Sequence, residues 1–211
     1  MVKEKEFIKN NYSEEDSKKI FFTSDTHFHH TNVIRYCKRP FSSIEEMDEA
    51  LINNWNKTVP PDGIVFHLGD FCFGGSREIC DLIFKLNGRI ILIKGNHDKI
   101  SKSMESMFDY VTDEMNIRIN KRRVILNHYA LLTYAGCNNN AIQLFGHSHT
   151  GPHKKWKKGR FRYLLPTQYD VGVDNNNFKP VSWKEITEII DTQCKKKKSI
   201  IQKILNWIMS F

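Results

Sequence analysis

The sequence predicts an α/β fold on three observations. Three short apolar runs rich in β-branched residues have the pattern of strands buried on both faces of a sheet. Two stretches between them carry apolar residues at helical spacing, and a strand–helix–strand–helix–strand order implies parallel strands with right-handed crossovers. After residue 114 the chain alternates polar and apolar residues around a polar turn, which is typical of a hairpin.

The first half of the chain contains the repeated strand and helix pattern. Three strands are predicted because each apolar run ends at a polar cluster, over 20–24, 63–69 and 89–95. The first helix is predicted over 43–59, which opens with Ser43 and acidic residues. The second helix is predicted over 76–88, which ends at Gly88 as helices commonly do.

The second half predicts further strands and a separate C-terminal helix. A hairpin is predicted over 114–128, and later strands over 141–147, 161–166 and 169–174. From Ser199 onwards, apolar residues fall on one broad arc of a helix that follows a run of four lysines. The predicted organisation is an N-terminal extension, a main domain and a basic amphipathic C-terminal helix, over 1–19, 20–194 and 195–211.

Composition and charge limit the class of protein. The chain has 211 residues, 40% of them hydrophobic, which suits one globular domain with an appendage. A formal net charge of +8 favours anionic partners, namely a phosphate-bearing substrate, nucleic acid or an anionic membrane surface. Five cysteines without a CxxC pair, together with an N-terminus unlike a signal peptide, predict a cytoplasmic protein. The basic C-terminal helix adds an expected peripheral membrane attachment, set against docking on the domain or on a second subunit.

Side chains that bind metals or protons follow the ends of five predicted strands. They are Asp25, His27, Asp70, Asn96, His97, Asp98, His128, His147 and His149. The carboxyl ends of strands in an open α/β sheet meet at one rim, so we expect these side chains to lie together. One strand-end histidine is more often structural than a ligand, but the joint occurrence after five strands predicts a metal site. Imidazole nitrogen and carboxylate oxygen suit Mn²⁺, Fe or Zn²⁺.

These residues form five blocks in order: DTH, GD, GNHD, a lone histidine in NHY, and GHSH. With these blocks, which span most of the chain, the sequence resembles the calcineurin-like metallophosphoesterase family. The resemblance implies a four-layer α/β/β/α sandwich with a dinuclear metal site at the C-terminal ends of the strands. It also implies the ligands: Asp25, His27 and His149 for one metal, Asn96, His128 and His147 for the other, and Asp70 as the bridge.

The resemblance implies a phosphoesterase with two divalent metal ions, Mn²⁺ before Fe, Zn²⁺ and Ni²⁺. We expect a phosphodiesterase that acts on a nucleotide-like or other small phosphate ester through a metal-bridging hydroxide. His97 is expected to protonate the leaving oxygen, and Asp98 to fix the tautomer of His97. Three residues that follow the first block, His30, Asn32 and Arg35, are candidates for contact with a substrate phosphate.

Alternatives to this function stay open at this point. A phosphomonoesterase would use the same site, and a catalytically silent binding scaffold would keep the fold without the chemistry. Protein phosphatases of the family carry Asp-Arg-Gly after the GD block, whereas this chain has GDFCFGG, so a phosphoprotein substrate is disfavoured. Nucleic acid is a candidate partner without a dedicated motif, and the natural substrate and oligomeric state are left open.

Overall fold

The structure, a computed structural model, describes residues 10–149 and 164–208, with the backbone alone for residues 198 and 200–208. Its elements in chain order are β1 (Asn11–Tyr12), α1 (Glu14–Ser17), β2 (Ile20–Thr23), α2 (Thr31–Cys37), α3 (Ile44–Thr58), β3 (Ile64–His67), α4 (Ser76–Lys85), β4 (Arg89–Ile93), α5 (Lys102–Glu105), β5 (Tyr110–Thr112), β6 (Glu114–Ile119), β7 (Arg122–Asn127), β8 (Ile142–Phe145), β9 (Gln168–Asp170), a 3₁₀ helix (Val173–Asn175), β10 (Val181–Ser182) and α6 (Trp183–Ile208).

The ten strands of the described residues form two mixed sheets of five strands each. In the first sheet, β10-β2-β3-β4-β5, strands β2 to β5 are parallel and β10 pairs antiparallel with β2. In the second sheet, β1-β6-β7-β8-β9, the β6–β7 hairpin is antiparallel and the other pairs are parallel. The predicted α/β class, the parallel β2-β3-β4 order and the hairpin are confirmed.

The register of the strands brings their carboxyl ends level. Thr23 of β2 pairs with His67 of β3, and His67 pairs with Leu92 of β4, so the loops after these strands leave the sheet at one edge. In the second sheet Leu126 pairs with Leu144, so β7 and β8 also end together. The polar loop residues that follow these strands are therefore gathered at a rim.

Helices α3 and α4 pack on the first sheet through the apolar residues that predicted them. α3 begins after Ser43, whose side chain accepts a hydrogen bond from the Glu46 backbone N–H, and it buries Met47, Leu51 and Trp55. Together with α4 these residues form one core cluster with β2, β3 and β4. A second cluster joins apolar residues of both sheets. Each large apolar side chain buried in this way contributes roughly 1.5–3 kcal/mol.

One predicted strand is shorter than expected. β9 ends at Asp170, and Val173–Asn175 forms a 3₁₀ helix where the strand was predicted to continue. The chain turns because Asp170 Oδ1 accepts a hydrogen bond from the Gly172 backbone N–H at 2.8 Å. Asn176 Nδ2 then donates to the backbone oxygens of Asp170 and Gly172, which holds the turn in place.

The C-terminal helix is longer than predicted. α6 begins at Trp183 rather than near Ser199, because Ile186 and Ile190 of its first turns are buried in the cluster that joins the two sheets. The amphipathic face predicted for the tail falls on side chains outside those described. None of the described helices, α6 included, has the apolar length that crossing a membrane requires. The strand predicted over 161–166 lies partly outside the described residues, and its last described positions are not in a strand.

Candidate metal centre

The rim is built from backbones that approach each other closely at two glycines. A Cβ atom on Gly95 would overlap the carboxylate of Asp70. A Cβ atom on Gly146 would overlap Ser24 Oγ and the carboxylate of Asp25. Because only glycine fits at these positions, the glycines of the GNHD and GHSH blocks have a steric reason for their place in the pattern.

Several rim residues have a left-handed backbone conformation, which is uncommon for residues other than glycine. The φ angles lie between 50° and 70° at Asp25, His27, Asp70, His147 and His149. Strained backbone of this kind persists only where the surrounding structure holds it, and it clusters at functional sites. All five of these residues belong to the two ligand groups that follow.

The first ligand group consists of Asp25, His27 and His149, whose potential ligand atoms all lie within 4.8 Å of one another. His27 Nε2 and His149 Nε2 are 3.2 Å apart, and Asp25 Oδ1 is 3.7 Å from His149 Nε2. Asp25 and His27 are buried, and His149 is half-buried. The group therefore lies at the base of the rim.

The second ligand group consists of Asp70, His128 and His147, again within 4.8 Å. Asn96 adjoins it, because Asn96 Oδ1 lies 3.0 Å from His128 Nε2. Asp70 Oδ2 lies 3.5 Å from His128 Nε2 and also 3.5 Å from His27 Nε2 of the first group. One carboxylate oxygen thus lies between the two groups.

The hydrogen bonds of His128 fit a cation at the second group. Its Nδ1 lies 2.7 Å from the backbone oxygen of Leu68 and donates there, which leaves Nε2 as the ring nitrogen that can bind a metal. Nε2 lies close to two oxygens, Asn96 Oδ1 at 3.0 Å and Asp70 Oδ2 at 3.5 Å. A set of nitrogen and oxygen ligand atoms this close together suits a divalent transition metal.

The electrostatics of the first group also fit a cation. Burial raises the pKa of Asp25 to about 7, although His149 opposes this shift. Burial lowers the pKa of His27 far below its usual value, so this ring is neutral and offers a lone pair. Burial opposes a charge on His149, but hydrogen bonds with Asp174 and Cys37 raise its pKa to about 10. A divalent cation would replace the proton at His149 Nε2 and keep Asp25 ionised.

Residues 19–166 match the sequence model of the calcineurin-like phosphoesterase superfamily domain, and this range contains both ligand groups. The chain belongs to the calcineurin-like phosphoesterase superfamily. Members of this superfamily typically bind divalent metals, and the described residues contain candidate groups for them.

Three proteins that are similar to this phosphoesterase-family chain have names that state no activity. It is 34% identical to an uncharacterized protein of Methanocaldococcus jannaschii over 82% of this chain and 92% of that protein. It is 27% identical to the Gene 66 protein of Mycobacterium phage D29 over 74% of this chain and 87% of that protein. It is similar to the crystal structure of a protein of unknown function from Aquifex aeolicus, with a TM-score of 0.64 and 28% identity over 81% of this chain and 98% of that one.

A buried ion pair supports the first group of this phosphoesterase-family site, and no motif in the sequence indicates it. Asp174 Oδ2 accepts a hydrogen bond from His149 Nδ1 at 2.8 Å, and both Asp174 oxygens accept from the Arg39 guanidinium at 2.8 Å. Arg39 also donates to the backbone oxygens of Asp25 and Thr26, at 2.6 and 2.9 Å. Asp174 therefore orients the ring of His149, and Arg39 ties Asp174 to the loop of the first block.

Substitution Asp174→Asn is expected to weaken metal binding at the first group by about 10- to 100-fold, which is typical when a partner of a metal-binding histidine is lost. Arg39 keeps its two backbone acceptors in this variant, so the loop retains a link. Calorimetric titration with Mn²⁺ measures the effect. The matched control is Asp109→Asn, which removes a half-exposed Asp–Arg pair with Arg89. Wild-type affinity for both ions in Asp174→Asn would contradict the supporting role.

A third group, Cys37, His149 and Asp174, also has ligand atoms within 4.8 Å of one another. Asp174 in this group already accepts two hydrogen bonds from Arg39, whose positive charge opposes a cation there. We therefore interpret this group as the support of His149 rather than as a separate metal site.

His97 and Asp98 differ in their relation to the rim. The His97 ring is exposed and lies 5.6 Å from the His27 ring between centroids. The His97 backbone N–H donates to Asp70 Oδ1 at 2.9 Å. Asp98 accepts hydrogen bonds of 2.7–2.9 Å from three backbone N–H groups, those of Asp70, Phe71 and Gly95. The expectation that Asp98 fixes the tautomer of His97 is corrected, because its carboxylate is directed at the backbone and stabilises the loops that present Asp70 and His97.

The three candidates for contact with the substrate differ in their position relative to the first ligand group. His30 Nδ1 lies 3.4 Å from His27 Nδ1, so His30 borders the first group. Asn32 and Arg35 are exposed on α2, and the Arg35 guanidinium lies 5.2 Å from the centre of the Tyr36 ring. Contact of these three residues with a substrate phosphate stays a prediction.

Proposed function

We propose that this chain is a dinuclear metal-dependent phosphodiesterase that acts on a nucleotide-like or other small phosphate ester. The supporting observation is Asp70 Oδ2, which lies 3.5 Å from a histidine of each ligand group. One ion would be held by Asp25, His27 and His149, the other by Asn96, His128 and His147, with Asp70 shared. Mn²⁺ is the metal we favour, and Fe, Zn²⁺ and Ni²⁺ suit the same donors.

Two such ions, when bound, lower the pKa of a water molecule and offset the charge that develops on the phosphoryl oxygens. The residues of the chain determine the net charge of the site and supply the proton donor. Only Asp25 and Asp70 are carboxylates among the seven proposed ligands, so the loaded site stays net positive and attracts a phosphate ester. The exposed ring of His97 lies beside the first group, where it can serve as the acid that protonates the leaving oxygen.

Two alternatives use the same residues. A phosphomonoesterase would prefer a phosphate with a single ester bond, and a silent scaffold would bind metal without turnover. We favour hydrolysis because all seven proposed ligands are present in the sequence and lie in or beside the two ligand groups.

Hydrolysis of bis-p-nitrophenyl phosphate and p-nitrophenyl phosphate by the full chain tests the proposal. We expect the Mn²⁺-loaded protein to show the higher kcat/KM with the diester, EDTA to abolish hydrolysis, and added Mn²⁺ to restore it. Asp81→Asn, on the exposed side of α4, is a carboxylate control that should leave both rates unchanged. A protein with two bound ions and no turnover would support the scaffold, and a preference for the monoester would support the phosphomonoesterase.

Several further expectations stay proposals. They include the four-layer α/β/β/α arrangement, the domain boundaries, the cytoplasmic location and a nucleic-acid partner. α6 continues through the exposed lysines 195–197. Peripheral attachment of this helix to an anionic membrane is therefore a proposal, with docking on the domain or on a second subunit as its alternative.

A further inference from the structure

Two exposed aromatic side chains flank the candidate metal centre. Phe73 is 44% exposed and is the third residue after the GD block, whereas Phe71 in the same loop is fully buried. Tyr129 is 45% exposed and directly follows the ligand candidate His128. Apolar rings exposed singly on a protein surface are common, but both of these rings lie against histidines of the site.

Phe73 forms a wall beside the first ligand group. Its ring stacks on the His30 ring, with centroids 3.7 Å apart and planes inclined by 13°. The same ring lies 5.2 Å from the His97 ring and 5.7 Å from the His27 ring, between centroids. The Phe73 backbone N–H donates to the Phe28 backbone oxygen at 2.8 Å, which fixes the loop that presents the ring.

Tyr129 forms a corresponding wall beside the second group. Its ring centroid lies 5.0 Å from that of His128 and 4.7 Å from that of His147. The Tyr129 backbone N–H donates to Asn127 Oδ1 at 2.8 Å, so a hydrogen bond also fixes the backbone that carries this ring. The candidate metal centre is therefore bordered by an exposed aromatic ring beside each ligand group.

We propose that Phe73, supported by His30, is a stacking platform for the nucleobase of a nucleoside phosphate substrate, with Tyr129 as the second aromatic wall. The proposal rests on the proposed function for the position of the phosphate. A nucleoside carries its base one sugar ring away from its phosphate, so a phosphate at the metal centre lets the base reach a ring that borders His27 and His97. Stacking on an aromatic side chain tolerates every base, because each base has a π-face.

Binding to the Mn²⁺-loaded full chain, measured by calorimetry, tests the proposal with two ligands that differ only in the base, adenosine 5′-monophosphate and ribose 5-phosphate. We expect the adenosine ligand to bind about 5- to 150-fold more tightly, which corresponds to the usual strength of one stacked base. Phe73→Ala should bring the ratio of the two affinities close to one, and Phe73→Trp should keep it. Phe84→Ala, which removes a phenylalanine on α4 that is 85% exposed, is the matched control.

Equal affinity of the two ligands for the wild type, or an unchanged ratio in Phe73→Ala, would overturn the platform. The outcome is separable from that of the proposed function, since the ratio of the two affinities and the hydrolysis of the p-nitrophenyl esters are measured in separate experiments. If the protein hydrolyses the p-nitrophenyl esters but binds the two calorimetry ligands equally well, the platform alone is rejected. If it binds the adenosine ligand more tightly but hydrolyses neither ester, the proposed function alone is rejected.

Discussion

Replacing Asp70 with asparagine is expected to remove metal from both ligand groups and to lower phosphodiester hydrolysis by more than about 100-fold. This loss is larger than the usual effect of losing a residue that only supports a ligand. The reason is geometric, because Asp70 Oδ2 lies 3.5 Å from His27 Nε2 and from His128 Nε2. Asparagine keeps an oxygen that can accept from the His97 backbone N–H, so the change is mainly the loss of charge between the groups.

Elemental analysis after dialysis, combined with the hydrolysis assay, measures this effect. Asn96→Ala serves as the comparison, since Asn96 Oδ1 approaches His128 only in the second group and its loss should weaken mainly one ion. Asp81→Asn on α4 is the charge-matched control and should keep both ions. An Asp70→Asn protein that retains two tightly held ions is not bridged at this position.

Replacing His97 with glutamine is expected to reduce turnover of an alkyl phosphodiester by about 10²- to 10⁴-fold, which is the usual range for loss of a general acid, while the metal content stays near two ions. His97 belongs to neither ligand group, and its ring is exposed beside the first one. Its backbone N–H, which contacts Asp70, is unaffected by the substitution. A positioning role would predict the same loss for every leaving group, whereas an acid role would not.

Leaving groups of different basicity separate the two roles. p-Nitrophenolate leaves without help from an acid, so the loss in His97→Gln should be small for bis-p-nitrophenyl phosphate and large for an alkyl phosphodiester. His29→Gln is the matched control, because the His29 ring pairs with Asp48 at 2.9 Å and belongs to neither ligand group. Equal losses with both leaving groups, or unchanged turnover, would refute the acid role.

Much of the rim could be predicted from local pattern. Apolar runs that end in Asp25, Asp70 and Asn96 define parallel strands, and parallel strands must deliver their carboxyl-end loops to one edge. His67 lies within one of these runs, and it is buried in β3 with its Nε2 2.9 Å from Thr26 Oγ1, as suits a core histidine. Strand direction and burial were sufficient for these predictions, because the strand–helix order indicates parallel strands and the continuous apolar runs indicate burial on both faces.

Local pattern failed where a side chain forms hydrogen bonds with backbone groups. The GNHD block suggested that Asp98 serves the imidazole beside it, but the folded loop offers its carboxylate three backbone N–H groups instead. The stretch around Asp174 alternates like a strand, but it forms a 3₁₀ helix, because the Asp170 side chain accepts a hydrogen bond from the Gly172 backbone and the Asn176 side chain donates to the backbone. In both cases hydrogen bonds between side chains and backbone outweighed the preference indicated by the sequence pattern.

The alternation of β2, α3, β3, α4 and β4, the parallel direction of these strands and the β6–β7 hairpin follow from the sequence, because the periodicity of apolar residues is a property of neighbouring positions. The side chains that support the rim could not be predicted from the sequence. Arg39 and Asp174 are 135 residues apart along the chain, and only the packing of α2 and the turn after β9 makes them an ion pair behind His149. Likewise Phe71 and Phe73 are alike in sequence, and the folded loop alone buries one ring and exposes the other beside the metal centre. Such contacts depend on where separate segments meet in space, which no short stretch of sequence encodes by itself.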